Sequence, residues 1–184
     1  MELLRTARIR LRRWEDGDLA AYFEIYSRWE VMRWLGAPPR RAVRDLAEAR
    51  ERLARWHERE AGLEPPLGLW ALAPLEGAAL EPVGTVLLLP LHDAGGPTDQ
   101  IEIGWHLHPD HQKRGLVTEA ARALLDAAAA AGVHRVLALT DPGNAASQAV
   151  AGRLGMADEG LTDRWFGITA RQFAWTAGPA RPAG

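Results

Sequence analysis

The chain has 184 residues, of which 47% are hydrophobic, and a formal net charge of −2. This length suits one domain with a proper core, and the charge balance excludes nonspecific nucleic-acid binding through a global basic field. Cysteine is absent, which excludes disulfides, thiolate nucleophiles and zinc–thiolate sites. Arginines interrupt the apolar runs near the N-terminus, and no run approaches the roughly 20 residues of a membrane helix. We therefore expect a cytoplasmic protein with no signal peptide and neither a membrane nor a nucleic acid as partner.

The first part of the chain predicts one strand followed by helices. Residues alternate in polarity over Arg8–Trp14, which predicts a strand with one wet face. Helices are expected over Leu19–Ser27, briefly over Val31–Gly36, and over Ala42–Glu60, where apolar residues recur at helical spacing. Arginine is dense between residues 40 and 59, but acidic residues interleave with it. That stretch therefore predicts a solvated helix face.

The rest of the chain predicts strands and then two strand–helix units. The expected elements are strands over Leu67–Ala73, Val83–Leu89 and Ile101–His108, a helix over Leu116–Ala131, a strand over Arg135–Thr140, a helix from Asn144 to Leu154, and a hairpin of Glu159–Trp165 with Arg171–Thr176. Together they predict a mixed α/β sandwich around one sheet. We expect one domain over residues 1–177 and a disordered tail over 178–184.

The segment Gln112–Val117 joins a predicted strand to a predicted helix and has the features of an anion site. Free N–H groups converge at a helix N-terminus, where the helix dipole also favours phosphate. Lys113 is the only lysine of the chain, and Arg114 lies beside it. The segment has too few glycines for a dinucleotide loop and lacks the Gly-Lys-Ser/Thr order of a nucleotide loop. Taken alone, it is equally well explained as an ordinary strand-to-helix connection.

The spacing Gln112-x-x-Gly115-x-Val117 resembles the Gln/Arg-x-x-Gly-x-Gly/Ala loop of the GNAT family, the N-acetyltransferases that use acetyl-coenzyme A. Further segments resemble the same family, and they follow one another in the family's order. Glu102–Pro109 resembles the central strand, and Gly115–Ala120 resembles the start of the helix after it. Asn144-x-x-Ser147 and Arg153–Met156 resemble the later helix and the turn that follows it. At the front, Arg8–Trp14 and Glu30–Gly36 resemble the branch that contains the ribosomal-protein N-terminal acetyltransferases.

Two residues depart from the loop pattern. Val117 stands where the family usually carries Gly or Ala, and its β-branched side chain is expected to crowd a close approach of the backbone to phosphate. Lys113 stands where this branch often carries Gly. Its ammonium group can compensate, because it reaches a phosphate that the backbone holds less closely.

The resemblance implies a fold and a coenzyme. The fold is a central, mostly antiparallel twisted sheet of about seven strands flanked by about four helices. Two parallel strands splay apart to admit the pantetheine arm of acetyl-coenzyme A. The implied coenzyme-binding residues are Trp105, Leu107, Gln112, Lys113, Arg114, Gly115, Leu116, Val117, Thr118, Asn144 and Ser147. A homodimer fits this branch, although the sequence leaves the oligomeric state open.

Glu102 is the first candidate for a general base. It alternates away from Ile101, Ile103 and Trp105 and so lies on the opposite face of the predicted strand. The resemblance adds that a glutamate at the matching position removes a proton from the amine, often through water, in several family members. His106 lies on the same face and has an ordinary pKa near 6.5, which makes it the second candidate.

Ser147 and Asn144 are expected near the reacting sulfur. The resemblance makes Ser147 a partner of the coenzyme sulfur or a proton donor to the leaving thiolate. It makes Asn144 a contact of the pantetheine arm, and Asn144 is also well placed to cap the helix that follows.

For the acceptor, Trp29, Trp34 and Trp165 are candidates for the wall of a groove, because large flat rings suit ligand walls. Taken singly, each of them is better explained by core packing. The leading hypothesis is direct acetyl transfer to a primary amine, either a protein N-terminal α-amine or a small molecule, without a metal.

Two alternatives belong to other functional classes. One is a non-catalytic module that binds acyl-coenzyme A. The other is a metal-dependent protein built on His106, His108 and His111, since three histidines so close in sequence are typical of zinc ligands.

Overall fold

One sheet runs through the whole protein in the computed structural model, which describes residues 1–76 and 81–178. Its strands are β1 (Glu2–Arg5), β2 (Ile9–Arg13), β3 (Gly68–Pro74), β4 (Gly84–Asp93), β5 (Gly96–Leu107), β6 (Arg135–Thr140), β7 (Ala157–Thr162) and β8 (Ala170–Thr176). The helices are α1 (Leu19–Tyr26), α2 (Trp29–Met32), α3 (Leu46–Glu60), α4 (Leu116–Ala130) and α5 (Ala145–Arg153). The strand order is β1-β2-β3-β4-β5-β6-β8-β7.

The predicted mixed α/β sandwich is confirmed, with more elements than expected. Among the described residues, the sheet has eight strands instead of about seven, and five α-helices surround it instead of about four. The additional strand β1 is only four residues long, too short for a periodic pattern to reveal it. The short helix expected over Val31–Gly36 corresponds to α2, which begins and ends earlier, at Trp29 and Met32. Apart from Gly178, the predicted tail lies outside the described residues.

Helix α3 begins later than its apolar pattern suggests. Asp45 accepts a hydrogen bond from the Glu48 N–H at 2.8 Å and so caps the helix there. Val43, which the pattern places inside the helix, is buried in the segment ahead of it. Leu46, in the first turn, is 48% exposed and lies outside the apolar stripe. The start of a helix is thus set by its cap, while the stripe continues into irregular backbone.

Apolar cores lie on both faces of the sheet. The larger core packs α4 and α5 against one face, and its centre includes Ile9, Leu88, Ile103, Leu124 and Val136. On the other face α1 and α3 pack through a cluster that includes Trp14, Tyr22, Tyr26, Leu53 and Ala71. The sheet therefore lies between two helical layers, and side chains of one strand alternate between two cores.

The predicted splay is confirmed at the centre of the sheet. Strands β5 and β6 form the one parallel pair among the described strands, with Ile101 opposite Val136 and Glu102 opposite Leu137. Beyond Glu102, β5 stays paired with β4 as far as Leu107, and β6 stays paired with β8. A gap therefore opens between two strands that remain held on their outer sides.

No helix of the described segments has the length and apolar character needed to cross a membrane.

Candidate active site

A cleft of about 1670 Å³ opens at the point where β5 and β6 separate. Strand β5 forms its floor, and α3, the segment 30–37, the loop 112–118 and the start of α5 form its walls. The cleft therefore joins the predicted phosphate loop, the predicted base and the predicted sulfur partner in one continuous space.

Glu102 lies in the cleft at the last position of the parallel ladder. Ile103, its neighbour in the strand, is buried in the core on the other face, as the alternation predicts. Burial raises the pKa of Glu102 to about 7, although the positive charge of Arg59 opposes this shift. A carboxyl group with such a pKa changes its protonation state near neutral pH, which suits a general base.

His106 is a weaker base than Glu102. Burial lowers its pKa to about 4, so the ring is neutral at pH 7. Its Nδ1 lies 3.0 Å from the Tyr26 hydroxyl, which lies 2.7 Å from the Thr85 hydroxyl. Desolvation raises the pKa of Tyr26, so its hydroxyl stays protonated. This chain of hydrogen bonds fixes His106 in place and favours Glu102 as the proton acceptor.

Ser147 lies across the gap from β5. The Trp105 indole Nε1–H donates a hydrogen bond to Ser147 Oγ at 3.1 Å. An indole nitrogen only donates, so Ser147 must accept, and its own hydroxyl proton is free for another partner. The Asn144 side chain accepts from the Ser147 backbone N–H at 3.2 Å and caps α5. The capping prediction for Asn144 is therefore confirmed, and it places Ser147 in the first turn.

The loop ahead of α4 has an unusual backbone conformation. Gly115 is the N-cap residue with φ of 77°, a left-handed conformation that glycine adopts readily. Lys113 also has a positive φ, 62°, which is uncommon for a residue with a side chain. Arg8 holds this loop from outside, because its Nη1 donates to the Arg114 carbonyl at 2.9 Å and its Nε donates to Glu119 at 2.6 Å.

The first turn of α4 faces the cleft with unused donors. Within residues 1–76 and 81–178, the backbone N–H groups of Leu116, Val117 and Thr118 make no hydrogen bond. The Val117 side chain is 8% exposed and packs in the main core. Val117 also lines the cleft beside these donors, so the crowding expected from its β-branched side chain stays a prediction.

A family model described as "Acetyltransferase (GNAT) domain" matches residues 8–157. This chain belongs to the GNAT acetyltransferase family. Over 61 residues it is 38% identical to the uncharacterized N-acetyltransferase YnaD of Bacillus subtilis (strain 168). That match covers 33% of this GNAT chain and 36% of the relative, so the chain spans about a third of the length of this curated relative.

Solved structures share the fold of this GNAT protein. An acetyltransferase of the GNAT family from Bacillus anthracis is 21% identical with a TM-score of 0.74, covering 96% of this chain and 98% of that one. A ribosomal-protein-S5-alanine acetyltransferase from Vibrio fischeri is 16% identical with a TM-score of 0.71, covering 99% and 100%. RimL, a ribosomal α-N-protein acetyltransferase in complex with coenzyme A, is 16% identical with a TM-score of 0.74, covering 96% and 98%.

The GNAT cleft includes most of the residues that the sequence singles out. The predicted coenzyme and base residues that line it are Glu102, Trp105, His106, Leu107, Gln112, Lys113, Gly115, Leu116, Val117, Thr118, Asn144 and Ser147. Trp34, a predicted acceptor residue, also lines it. The chemical roles of these residues stay predictions.

Three predicted site residues of the GNAT protein lie elsewhere. Trp165 is 1% exposed and donates through Nε1 to Gln172 at 2.7 Å, so it is a core residue. Trp29 is 51% exposed and lies outside the cleft wall. Arg114 contributes its carbonyl to the Arg8 contact, while its exposed side chain does not line the cleft.

The histidines of the GNAT protein do not form a cluster. His106 faces the main cleft and bonds Tyr26, while His108 and His111 lie at a separate, smaller cavity. In the described part of the chain, no three His, Cys, Asp or Glu side chains are close enough to hold a metal ion. Of the three, His108 and His111 lie close together, with ring centroids 6.0 Å apart, while His106 opens to the other cavity.

Sequence reasoning missed two groups that shape this GNAT cleft. One is the pair of Arg8 and Glu119, which lie 111 residues apart and fix the phosphate-type loop from outside. The other is a row of arginines on α3, Arg52, Arg55 and Arg59, which line the cleft. The helical spacing of these arginines places them on one face of α3. The acidic residues that interleave with them led to the prediction of a solvated face instead of a cleft wall.

Proposed function

We propose that this protein is an acetyl-coenzyme A-dependent N-acetyltransferase that acts on a primary amine by direct attack in a ternary complex. The observation that carries this proposal is the position of Glu102. Its carboxyl group, whose pKa burial raises to about 7, lies at the opening of the splay in the same cleft as Ser147 and the loop 112–118. Base, sulfur partner and anion site thus share one space.

The cleft fits the coenzyme in two ways. The unused N–H groups at the start of α4, together with Lys113, suit a pyrophosphate group. The gap between β5 and β6 suits an extended pantetheine arm, because the free edge of β5 beyond Glu102 offers backbone donors and acceptors. When bound, acetyl-coenzyme A supplies the acetyl group as a reactive thioester.

Proton handling falls to residues of the chain. An amine attacks only when neutral, so the ionised Glu102 carboxylate takes the proton from the acceptor, directly or through water. The free hydroxyl proton of Ser147 is oriented by the Trp105 contact and stabilises the departing thiolate. The acceptor is a protein N-terminal α-amine or a small amine. The protein N-terminus is supported by the structural likeness to two ribosomal-protein acetyltransferases.

Calorimetry and thiol detection test the proposal together. We expect saturable binding of acetyl-coenzyme A and release of free thiol when a suitable amine is added. No heat of binding at millimolar coenzyme would overturn the proposal outright. Binding without thiol release across a broad panel of amines and N-terminal peptides would favour a non-catalytic acyl-coenzyme A-binding module instead.

Replacing Ser147 by Ala should lower kcat about tenfold, because one hydrogen bond to the developing thiolate is worth about 1.4 kcal/mol. The substitution leaves the coenzyme affinity within about threefold, since the ground-state thioester gains little from this donor. Single-turnover thiol release measures the chemical step.

Gln148→Ala is the matched control for the Ser147 variant. Gln148 follows Ser147 in α5, does not line the cleft, and donates to the Pro142 carbonyl at 2.9 Å. Its loss should reduce stability by about 1 kcal/mol without slowing the chemical step. Equal slowing in both variants would assign a purely structural role to this turn of α5.

Assembly as a homodimer and a cytoplasmic location stay predictions. Light scattering on the purified protein tests the first, and cell fractionation tests the second.

A further inference from the structure

Three arginines of α3 form one charged row along the cleft. Arg52, Arg55 and Arg59 are spaced by three and four residues, which places them on one face of the helix, and all of them line the cleft. We call this set the arginine row. It lies on the same side of the sheet as Glu102, close enough for the charge of Arg59 to influence the carboxyl group.

Two members of the arginine row have no partner in the described residues. Arg52 donates to the buried Glu48 at 2.9 Å, and Arg41 and Arg44 donate to the same carboxylate, so Arg52 already has a partner. In the ranges 1–76 and 81–178, Arg55 and Arg59 have no hydrogen bond or salt bridge. Their guanidinium groups are therefore available to a ligand.

The surrounding charges do not balance this pair. Arg40 is held by Asp141 at 2.8 Å, and Arg33 stacks on Trp34 with its guanidinium 4.6 Å from the ring. Besides Asp141, which Arg40 holds, the acidic residues that line the described cleft are Glu30 and Glu102. A concave wall with excess positive charge concentrates anions and repels cations.

We infer that the acceptor of this cleft carries a carboxylate or similar anionic group beside its amine, and that Arg55 and Arg59 bind this group. The inference rests on the proposed function and narrows its substrate class. A guanidinium binds a carboxylate through two parallel hydrogen bonds, which fixes orientation as well as position. An acceptor held in this way presents its amine toward Glu102.

An anionic group on the acceptor does not change which bonds form and break in the transfer step. The amine nitrogen forms a bond to the acetyl carbon and the bond from that carbon to sulfur breaks. The nitrogen of the neutral amine loses one proton to Glu102, which later releases it to solvent. The thiolate takes one proton from solvent, directly or through the Ser147 hydroxyl, which regains its own proton from solvent. The anionic group takes no part in bond changes, so its effect falls on KM more than on kcat.

Matched acceptors test the inference. The first arm compares a small amino acid with its amide, and the second compares peptides that carry Asp or Asn after the N-terminal residue. Initial rates of thiol release give kcat/KM, and calorimetry gives acceptor binding to the protein loaded with coenzyme A. The anionic member of each pair should be preferred about tenfold. The arm with the larger preference identifies the source as a free amino acid or a peptide.

Variants connect this preference to the arginine row. Arg55→Gln should raise KM for the anionic acceptor about fivefold and leave the neutral acceptor within about twofold, because the contact is partly exposed. Arg50→Gln is the control, since Arg50 is an exposed arginine of the same helix outside the cleft wall. Its KM for both acceptors should match the unmodified protein.

Equal kcat/KM values for the charged and the neutral acceptor would overturn the inference. An equal rise in KM for both acceptors in the Arg55→Gln variant would also overturn it. The calorimetric arm separates this failure from failure of the proposed function. Preferential binding of the anionic amine without any thiol release would uphold the anion site and reject acetyl transfer. Equal acetylation of neutral and anionic amines would uphold acetyl transfer and reject the anion site.

Discussion

Replacing Glu102 by Gln should reduce kcat by about 10²–10³-fold at pH 8, because the amide cannot accept a proton from the amine. The two side chains have nearly the same shape, so the gap between β5 and β6 is preserved. The dissociation constant for acetyl-coenzyme A should change by less than about twofold, since the base acts on the acceptor and not on the coenzyme. Thiol-release kinetics and calorimetry on the same preparation measure both quantities.

The pH profile supplies an independent test of the same residue. The pKa of Glu102 is raised to about 7, so its carboxylate form, which is the active one, predominates above that pH. The rate should rise through neutral pH and level off above it, and Glu102→Gln should lack this inflection. His106 cannot supply the inflection, because burial lowers its pKa to about 4. An inflection that persists in the variant would assign it to the acceptor amine.

Stability provides the control for misfolding. Glu102 has a higher pKa in the folded protein than its ordinary value of 4.5, so its ionisation costs folding free energy. The cost is absent below pH 4.5, where both states are protonated, and it grows up to about pH 7. The Gln variant should therefore be more stable than the unmodified protein at pH 8, by about 3 kcal/mol. Urea unfolding at pH 4 and pH 8 measures this difference, and a less stable variant at pH 8 would contradict the burial argument.

The sequence predicts this site well where the signal is local. The Asn144 cap, the glycine ahead of α4 and the alternation that places Glu102 opposite Ile103 each depend on residues a few positions apart. Each follows from a backbone rule that holds whatever the rest of the fold does. The order of these motifs along the chain indicates the family that the family model confirms.

Contacts between distant segments lie beyond such rules. The indole of Trp105 reaches Ser147 across the gap, and Arg8 reaches Glu119 from the first part of the chain. Neither pair has a spacing that a local pattern can encode. Trp165 was predicted to line the acceptor groove but is buried in the core. An aromatic residue in a connection can take either position, and its local sequence does not distinguish the two. The packing of Trp165 against Leu91, Leu137 and Ala174, on three different strands, makes it a core residue.

Lys113→Glu should weaken acetyl-coenzyme A binding about 30–100-fold, because it removes a charge-assisted contact worth about 2–3 kcal/mol and adds repulsion. Arg114→Glu changes the net charge equally at the next position, but its side chain lies outside the cleft wall. The dissociation constant of this variant for acetyl-coenzyme A should stay within about threefold of that of the unmodified protein at 0.15 M salt, where exposed charges are screened. Calorimetry at two salt concentrations compares the variants. S-acetyl-pantetheine, which lacks the pyrophosphate, should bind both variants alike. If it distinguishes them as the full coenzyme does, Lys113 acts on some other part of the coenzyme and the loop 112–118 is not a phosphate site.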